Sequence, residues 1–419
     1  MARAENDNFR NIWLASAISQ LGDGAMLVAI PLVAAKLTGS AGQVAAITVA
    51  ETLPLVLFSL LGGALVDRMD RRRVMIWADA GRAIAMGILA IAIGNGFASM
   101  PLLYAAAFLM GVGESLIDPA SQAILPMIVP GDELERANSR LSSTQALSFE
   151  FAGPPLGGLL FGLSAAAPFF LNTISFLGAI ALVLAVRGGF RANADATGEP
   201  SAIRAEIREG ATWLWRHRTL RTLAIVQGAM NALFIAAMSI FVLLAVTVLH
   251  TGDLGFGLMM SAGALGGVLG SLAVPKLSAA VGGRATIIAS IVATGVAFAG
   301  IGLVTQPLFT GALFMVVSAS AAANMVVIAS LRMRLVPNHL LGRVTSASRM
   351  VSLGGLPIGA VVGGVLASAV GVDGVFLCSG FAMVVVAVFA AISLRNESVA
   401  AVYTEAAATI PPTAGALAS

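Results

Sequence analysis

Apolar residues run in blocks of about twenty along nearly the whole chain, separated by short polar or glycine-containing breaks. About 20 residues of helix cross a hydrocarbon core ~30 Å thick, so each block predicts a membrane span. Twelve are predicted, at 12–36, 43–66, 74–94, 101–124, 141–163 and 168–186, then 220–248, 256–279, 285–304, 308–331, 342–370 and 375–394. Residues 187–200 hold no apolar block and divide the spans six and six. Just beyond, Ile203, Ile207 and Leu214 share one helical stripe while Arg204, Glu206, Arg208 and Glu209 lie elsewhere. With Trp213 and Trp215 suited to the headgroup level, this predicts an interfacial amphipathic helix. The chain is thus divided into a first bundle at 1–186, a linker at 187–219, a second bundle at 220–395 and a disordered tail at 396–419.

Composition leads to the same class, an all-α polytopic membrane protein. Hydrophobic residues make up 58% and charged residues 11% of the chain, against roughly a quarter charged in a soluble domain. Residues 1–11 carry Arg3, Glu5, Asp7 and Arg10 without the apolar stretch and small-residue site of a removable signal, so the first span is expected to remain as an anchor. Cys378 stands alone, which excludes an internal disulfide. Arg10, Arg68, Arg71 to Arg73, Arg136, Arg140, Arg284, Arg332, Arg334 and Arg343 all fall on the side of the N-terminus, and on the other side only Lys36 lies near a loop. By the positive-inside rule both termini are expected in the cytoplasm, with the protein in the inner or plasma membrane of the cell.

The halves repeat each other. Val129-Pro130, Leu134 and Arg136 recur at the same spacing as Val336-Pro337, Leu341 and Arg343. Gly153-x-Pro155-x-Gly157 in span five has a counterpart, Gly355-x-Pro357-x-Gly359, in span eleven. Parallel internal repeats account for both matches.

Between spans two and three, Gly63-Ala-Leu-Val-Asp67-Arg68-Met-Asp70-Arg71-Arg72 resembles the GxxxDRxGRR signature of the major facilitator superfamily, with Asp70 in place of a glycine. An acidic residue there points to the drug:proton antiporter branch resembling macrolide-efflux-type exporters. In span five, Gly153-Pro154-Pro155-Leu156-Gly157-Gly158 resembles the GPxxGG core of the antiporter motif, although Phe149 replaces its upstream glycine. The resemblance extends from Phe9 to about Arg395. It implies the major facilitator fold, two six-helix bundles that rock about a central cavity. It also implies a latch, in which Gly63 lets helices approach and Asp67 meets the positive N-terminal end of span eleven. Arg68, Arg71 and Arg72 would add pairs between the halves; apart from the resemblance, the position of Asp118, nearer the cytoplasm and followed by Pro119, suits a relay toward Asp67.

Ionisable groups within spans need a reason, because each costs roughly 2.5–3.5 kcal/mol at a helix centre. Asp23, Glu51, Glu114 and Glu150 fall near the centres of spans one, two, four and five, and Asp79 and Arg82 are spaced to pair within span three. No acidic residue occurs between Asp253 and Asp373, so proton coupling is expected in the first half. Asp23 leads because Gly22 and Gly24 flank it, followed by Glu51 and Glu150, then Glu114. A structural, hydrogen-bonded carboxyl is the competing reading for each. Arg349 is expected to pair across the halves, to meet an anionic substrate, or to snorkel toward the cytoplasm. Gln227, Asn231 and Asn324 are candidates for the substrate cavity or for bonds from helix to helix.

His217, His250 and His339 form no metal-ligand spacing, and GxxxxGK[ST] is absent, so neither a metal or other cofactor nor ATP drive is expected. No enzyme signature is present, and topology explains the arginines without nucleic acid. The expected partners are membrane lipids, protons and a small-molecule substrate, acting on a monomer. The expected function is proton-coupled efflux of small lipophilic or cationic compounds by alternating access. Export of one metabolite such as a siderophore, lipid transport, and a non-transporting sensor or scaffold are the alternatives.

Overall fold

In a computed structural model of the chain, residues 2–190, 200–337 and 340–394 are described, without side chains at 2–6, 59–68 and 200–207. The expected tail at 396–419 lies outside the described residues. All regular structure among the described residues is helical. Spans one to four are Ala2–Leu37, Ala41–Arg68, Arg71–Gly94 and Met100–Ile128. Span five is a composite of Leu134–Gln145, a π-helical stretch Ala146–Ala152, and Gly153–Leu163; span six is Ala167–Ala185. A helix at Pro200–Arg216 precedes span seven, which begins as Arg218–Met238. Spans eight to ten are Gly252–Val281, Gly283–Leu303 and Pro307–Leu335.

The last helical run, Leu341–Ser393, is 53 residues long and is broken at Gly371, whose φ of 79° and ψ of 169° lie outside any helix. A side chain would make that backbone costly, and glycine removes the cost. The run is therefore two spans, and the twelve crossings form two six-helix bundles.

The two bundles pack alike. Span one lies against five and six, two against four, and three against six; in the second half, seven lies against eleven, eight against ten, and nine against twelve. Two arginines mark the correspondence. Arg72, at the start of span three, donates from Nε to the Val183 carbonyl at 3.0 Å and from Nη2 to the Leu184 carbonyl, at the end of span six. Arg284, at the start of span nine, donates to the Leu394 and Ala391 carbonyls, both at 2.6 Å, at the end of span twelve. The last carbonyls of a helix lack partners within it and carry partial negative charge, so a guanidinium satisfies both needs.

Both described chain ends fall on one side of the bundle pair, here the near end. The closest backbone approaches between the halves lie toward the far end. Gly257 of span eight packs on the Pro154 backbone, Gly158 on that of Asp253, and Gly364 of span eleven within 3.0 Å of Ala45 and Gly42 if given a Cβ. Ser261 in span eight donates from Oγ to the Phe151 carbonyl at 2.8 Å. The halves are thus sealed at the far end around a cavity that extends toward the near end.

Candidate functional site

That cavity encloses about 690 Å³, within the range of sites that take drug-sized molecules. Its wall has two chemistries. The first half contributes Asp23, Glu51, Asp79, Arg82, Glu114 and Asp118; the second contributes Phe234, Met238, Phe241, Phe256, Met260 and Phe314. The rings of the apolar wall brace one another, with Phe241 centred 5.9 Å from Phe256, 5.4 Å from Phe314 and 5.8 Å from Phe376 behind them. Closer to the near end, neutral polar groups such as Ser142, Asn138 and Gln122 line the approach.

Arg82 organises the charged wall. Its Nη2 lies 2.6 Å from Asp23 Oδ2, and its Nη1 lies 3.5 Å from Asp79 Oδ1, one helical turn back along span three. The guanidinium covers the Phe176 ring at 4.4 Å, a cation–π contact that strengthens away from water. Asn172 Nδ2 approaches Asp23 Oδ1 at 3.4 Å, and Ser175 donates to Asn172 Oδ1 at 3.0 Å. Gly22 faces Asn172 and Ser175, and Gly24 packs on the Phe149 backbone. The flanking glycines thus serve helix packing, and they set Asp23 between spans one, three and six.

Glu51 and Glu114 are the contrasting pair. Their side chains make no hydrogen bond or ion pair among the described residues, yet both feel the charge of Arg82, and Glu114 feels that of Glu51. Asp118 interacts electrostatically with Arg349 of the second half.

Other sequence candidates are placed elsewhere. Glu150 lies in the π-helical stretch, exposed and outside the cavity lining. Gln227 donates to Asn231 at 3.2 Å, and Asn231 to the Ser352 carbonyl at 3.1 Å, joining spans seven and eleven. Asn324, 1% exposed, donates to Ser290 Oγ at 3.0 Å within the second bundle. Arg349 is exposed outside the lining of this cavity.

The side chains of Gly63, Asp67 and Arg68 lie outside the described residues. Asp70, the departure from the family signature, caps span three, its carboxylate accepting from Arg73 N at 3.2 Å. Arg71 Nη1 donates to the Phe190 carbonyl at 3.2 Å, so the hydrogen bonds described for Arg71 and Arg72 reach the end of span six and the start of the linker instead of the second half. Of the span-five motif, Gly153 and Gly157 face span one, whereas Pro154 and Gly158 face span eight. Sequence reasoning treated Arg82 as a local partner of Asp79; that spacing was the visible signal, while its reach to Asp23 and Phe176 left none.

The sequence matches the family described as "Transmembrane secretion effector" over residues 1–416. The chain belongs to that family, a group of major facilitator superfamily transporters rather than enzymes. It is similar to the multidrug efflux pump Tap of Mycolicibacterium fortuitum, 28% identical over 390 residues that cover 90% of this chain and 94% of that one. It is also similar to macrolide efflux protein A of Streptococcus pyogenes, 25% identical over 391 residues, 91% of this chain and 94% of that one. Among solved structures, the D323A mutant of the nucleoside transporter NupG shares the fold with a TM-score of 0.76 at 13% identity, covering 93% of this chain and 100% of that one. A bacterial homologue of the iron transporter ferroportin in an inward-facing state gives a TM-score of 0.72 at 18% identity, over 94% of this chain and 100% of that one.

Proposed function

We propose that this protein exports lipophilic cations from the cell in exchange for protons. The observation that carries the reading is the cavity's composition: two carboxylates without side-chain partners among the described residues, Glu51 and Glu114, line one cavity together with a set of phenylalanines and methionines. A lipophilic cation satisfies both surfaces at once, its charge against the carboxylates and its rings against Phe241, Phe256 and Phe314. Protons are the alternative load, since carboxylates held away from water must be neutralised by one or the other. Exchange of the two loads is antiport.

The distribution of basic residues supports an orientation with the near end in the cytoplasm. The cavity then opens inward, ready to collect substrate, and the names of the two efflux relatives support export as its direction. In the opposite state the far-end seal between spans five and eight parts, and the near end closes through Gly63, Asp67 and Arg68 against span eleven, with Asp118 and Arg349 drawn together. The working unit is a monomer of two bundles, 1–186 and 220–395, joined by the 187–219 linker whose helix lies along the inner surface.

The test is accumulation of ethidium in proteoliposomes with an acid interior, the membrane potential clamped by potassium and valinomycin. Uptake that dissipates the proton gradient is expected; no uptake, or uptake indifferent to the gradient, defeats the reading.

A further inference from the structure

The geometry points to Arg82 as the residue that holds Asp23 ionised and leaves proton exchange to the carboxylates it does not hydrogen-bond, Glu51 and Glu114 foremost. This rests on the proton-coupled reading above. Arg82 is 6% exposed near the middle of span three. An isolated charge at that depth is costly, so its surroundings must supply compensation.

They do so from every side. Span one brings Asp23, span two Glu51, span three Asp79, and span four Glu114 and Asp118. Span six brings only the neutral Asn172, Ser175 and Phe176. From the second half, Arg349 interacts electrostatically with Asp118. The space is also shaped for the arginine: a Cβ on Gly113 of span four would lie 2.6 Å from Arg82 Cγ. Arg82 Nε and Asp79 Oδ1 are both buried without a hydrogen-bond partner, so Asp23 is the carboxylate hydrogen-bonded to the guanidinium, with Asp79 held by charge across 3.5 Å and the Phe176 ring beneath.

With Asp118 set against Arg349, the other four carboxylates, Asp23, Glu51, Asp79 and Glu114, and the one guanidinium leave a formal charge of −3 when all are ionised. Arg82 lies against two of the four and matches one of their charges. The pair that remains, Glu51 and Glu114, lines the cavity and is the part of the cluster a proton or an incoming cation can neutralise. Arg82 is thus a positioning residue whose charge decides which carboxylates exchange.

The experiment is binding of tetraphenylphosphonium, which carries no proton of its own, to purified full-length protein across a pH series. Wild type is expected to bind more tightly as pH rises. In Arg82→Gln the stranded carboxylates keep their protons to higher pH, so the half-binding pH moves to the alkaline side by about one unit or more. Arg82→Lys, which keeps the charge, is expected to hold the wild-type midpoint. Asp23→Asn with Arg82→Gln removes one charge of each sign and is expected to return to it.

Wild-type binding that ignores pH would sink the proton-coupled reading itself. A pH-dependent wild type whose midpoint survives Arg82→Gln overturns this inference alone. Should Arg82→Gln not fold, a midpoint displaced by a full unit in either the lysine or the double variant overturns it, and unmoved midpoints support it.

Discussion

Ser261 of span eight donates a hydrogen bond to the carbonyl of Phe151 in span five, crossing between the two halves at 2.8 Å. Pro155 has no N–H to offer that carbonyl four residues back. The proline that disturbs span five therefore creates the acceptor that fastens it to the other bundle. In the proposed cycle the two helices part when the far end opens, and this bond belongs to one state only.

Ser261→Ala should therefore shift the resting population toward the state open at the far end. A neutral hydrogen bond contributes about 0.5–1.5 kcal/mol, so the shift should be roughly two- to tenfold. Nitroxides at Ser40 and Gln306, exposed at the far end of either half, would report a growing long-distance component. An unchanged distance distribution would show that the bond does not help hold the seal.

The acidic residues should separate by stability. Asp23→Asn leaves Arg82 without its closest partner, and breaking a buried pair from one side costs about 3–5 kcal/mol. Glu51→Gln and Glu114→Gln break no described ion pair and should melt near wild type. Thermal unfolding in detergent compares them directly, and equal losses in all three would contradict the division of roles.

How much of this was legible beforehand follows from what a bilayer hides. Span positions and the break near Gly371 could be read because length and hydropathy fix where a helix can cross. The depth of Asp23, Glu51 and Glu114 was legible for the same reason. Direction around the helix was not. A soluble helix shows its inward face as an apolar stripe, but a membrane helix is apolar on all sides, so Glu150, Gln227, Asn231 and Asn324 gave no sign that they point away from the cavity. The π-helical stretch before Gly153 and the capping role of Asp70 depend on backbone geometry that residue spacing does not report. The methionine and aromatic content suits an apolar cavity or ordinary helix filler alike, and only the fold brings Phe241, Phe256 and Phe314 together from three spans.

The paired arginine anchors offer a test of the internal repeat. Arg72→Gln and Arg284→Gln each remove a guanidinium from the carbonyl end of a span, and each should cost about 1–2 kcal/mol. Matching decreases in thermal midpoint are expected. A loss confined to one half would show that the symmetric geometry does not carry symmetric energy.

His217 caps span seven through its ring, Nδ1 accepting from Leu220 N at 3.4 Å while the ring stacks on Trp213 at 5.3 Å. Burial holds its pKa below the ordinary value. Only the neutral ring can accept, and the unfolded chain takes the proton more readily. Its contribution is therefore intact above the unfolded value, about 6.5, and is lost as pH falls from there through the lower folded value. His217→Asn keeps a capping oxygen without titrating. The gap in thermal midpoint between wild type and this variant should change in the variant's favour from pH 7.5 to 5.5; a constant gap would show that the ring does not titrate at the cap.

The most direct test of the whole account is ethidium transport by Glu51→Gln and Glu114→Gln, singly and together, in the acid-loaded, potential-clamped proteoliposomes. Wild type is expected to accumulate the cation as the proton gradient runs down, and the double variant to lose both movements while remaining folded. If the double variant moves ethidium at the wild-type rate and still dissipates the gradient, the two carboxylates do not exchange cation for proton and the central claim is contradicted.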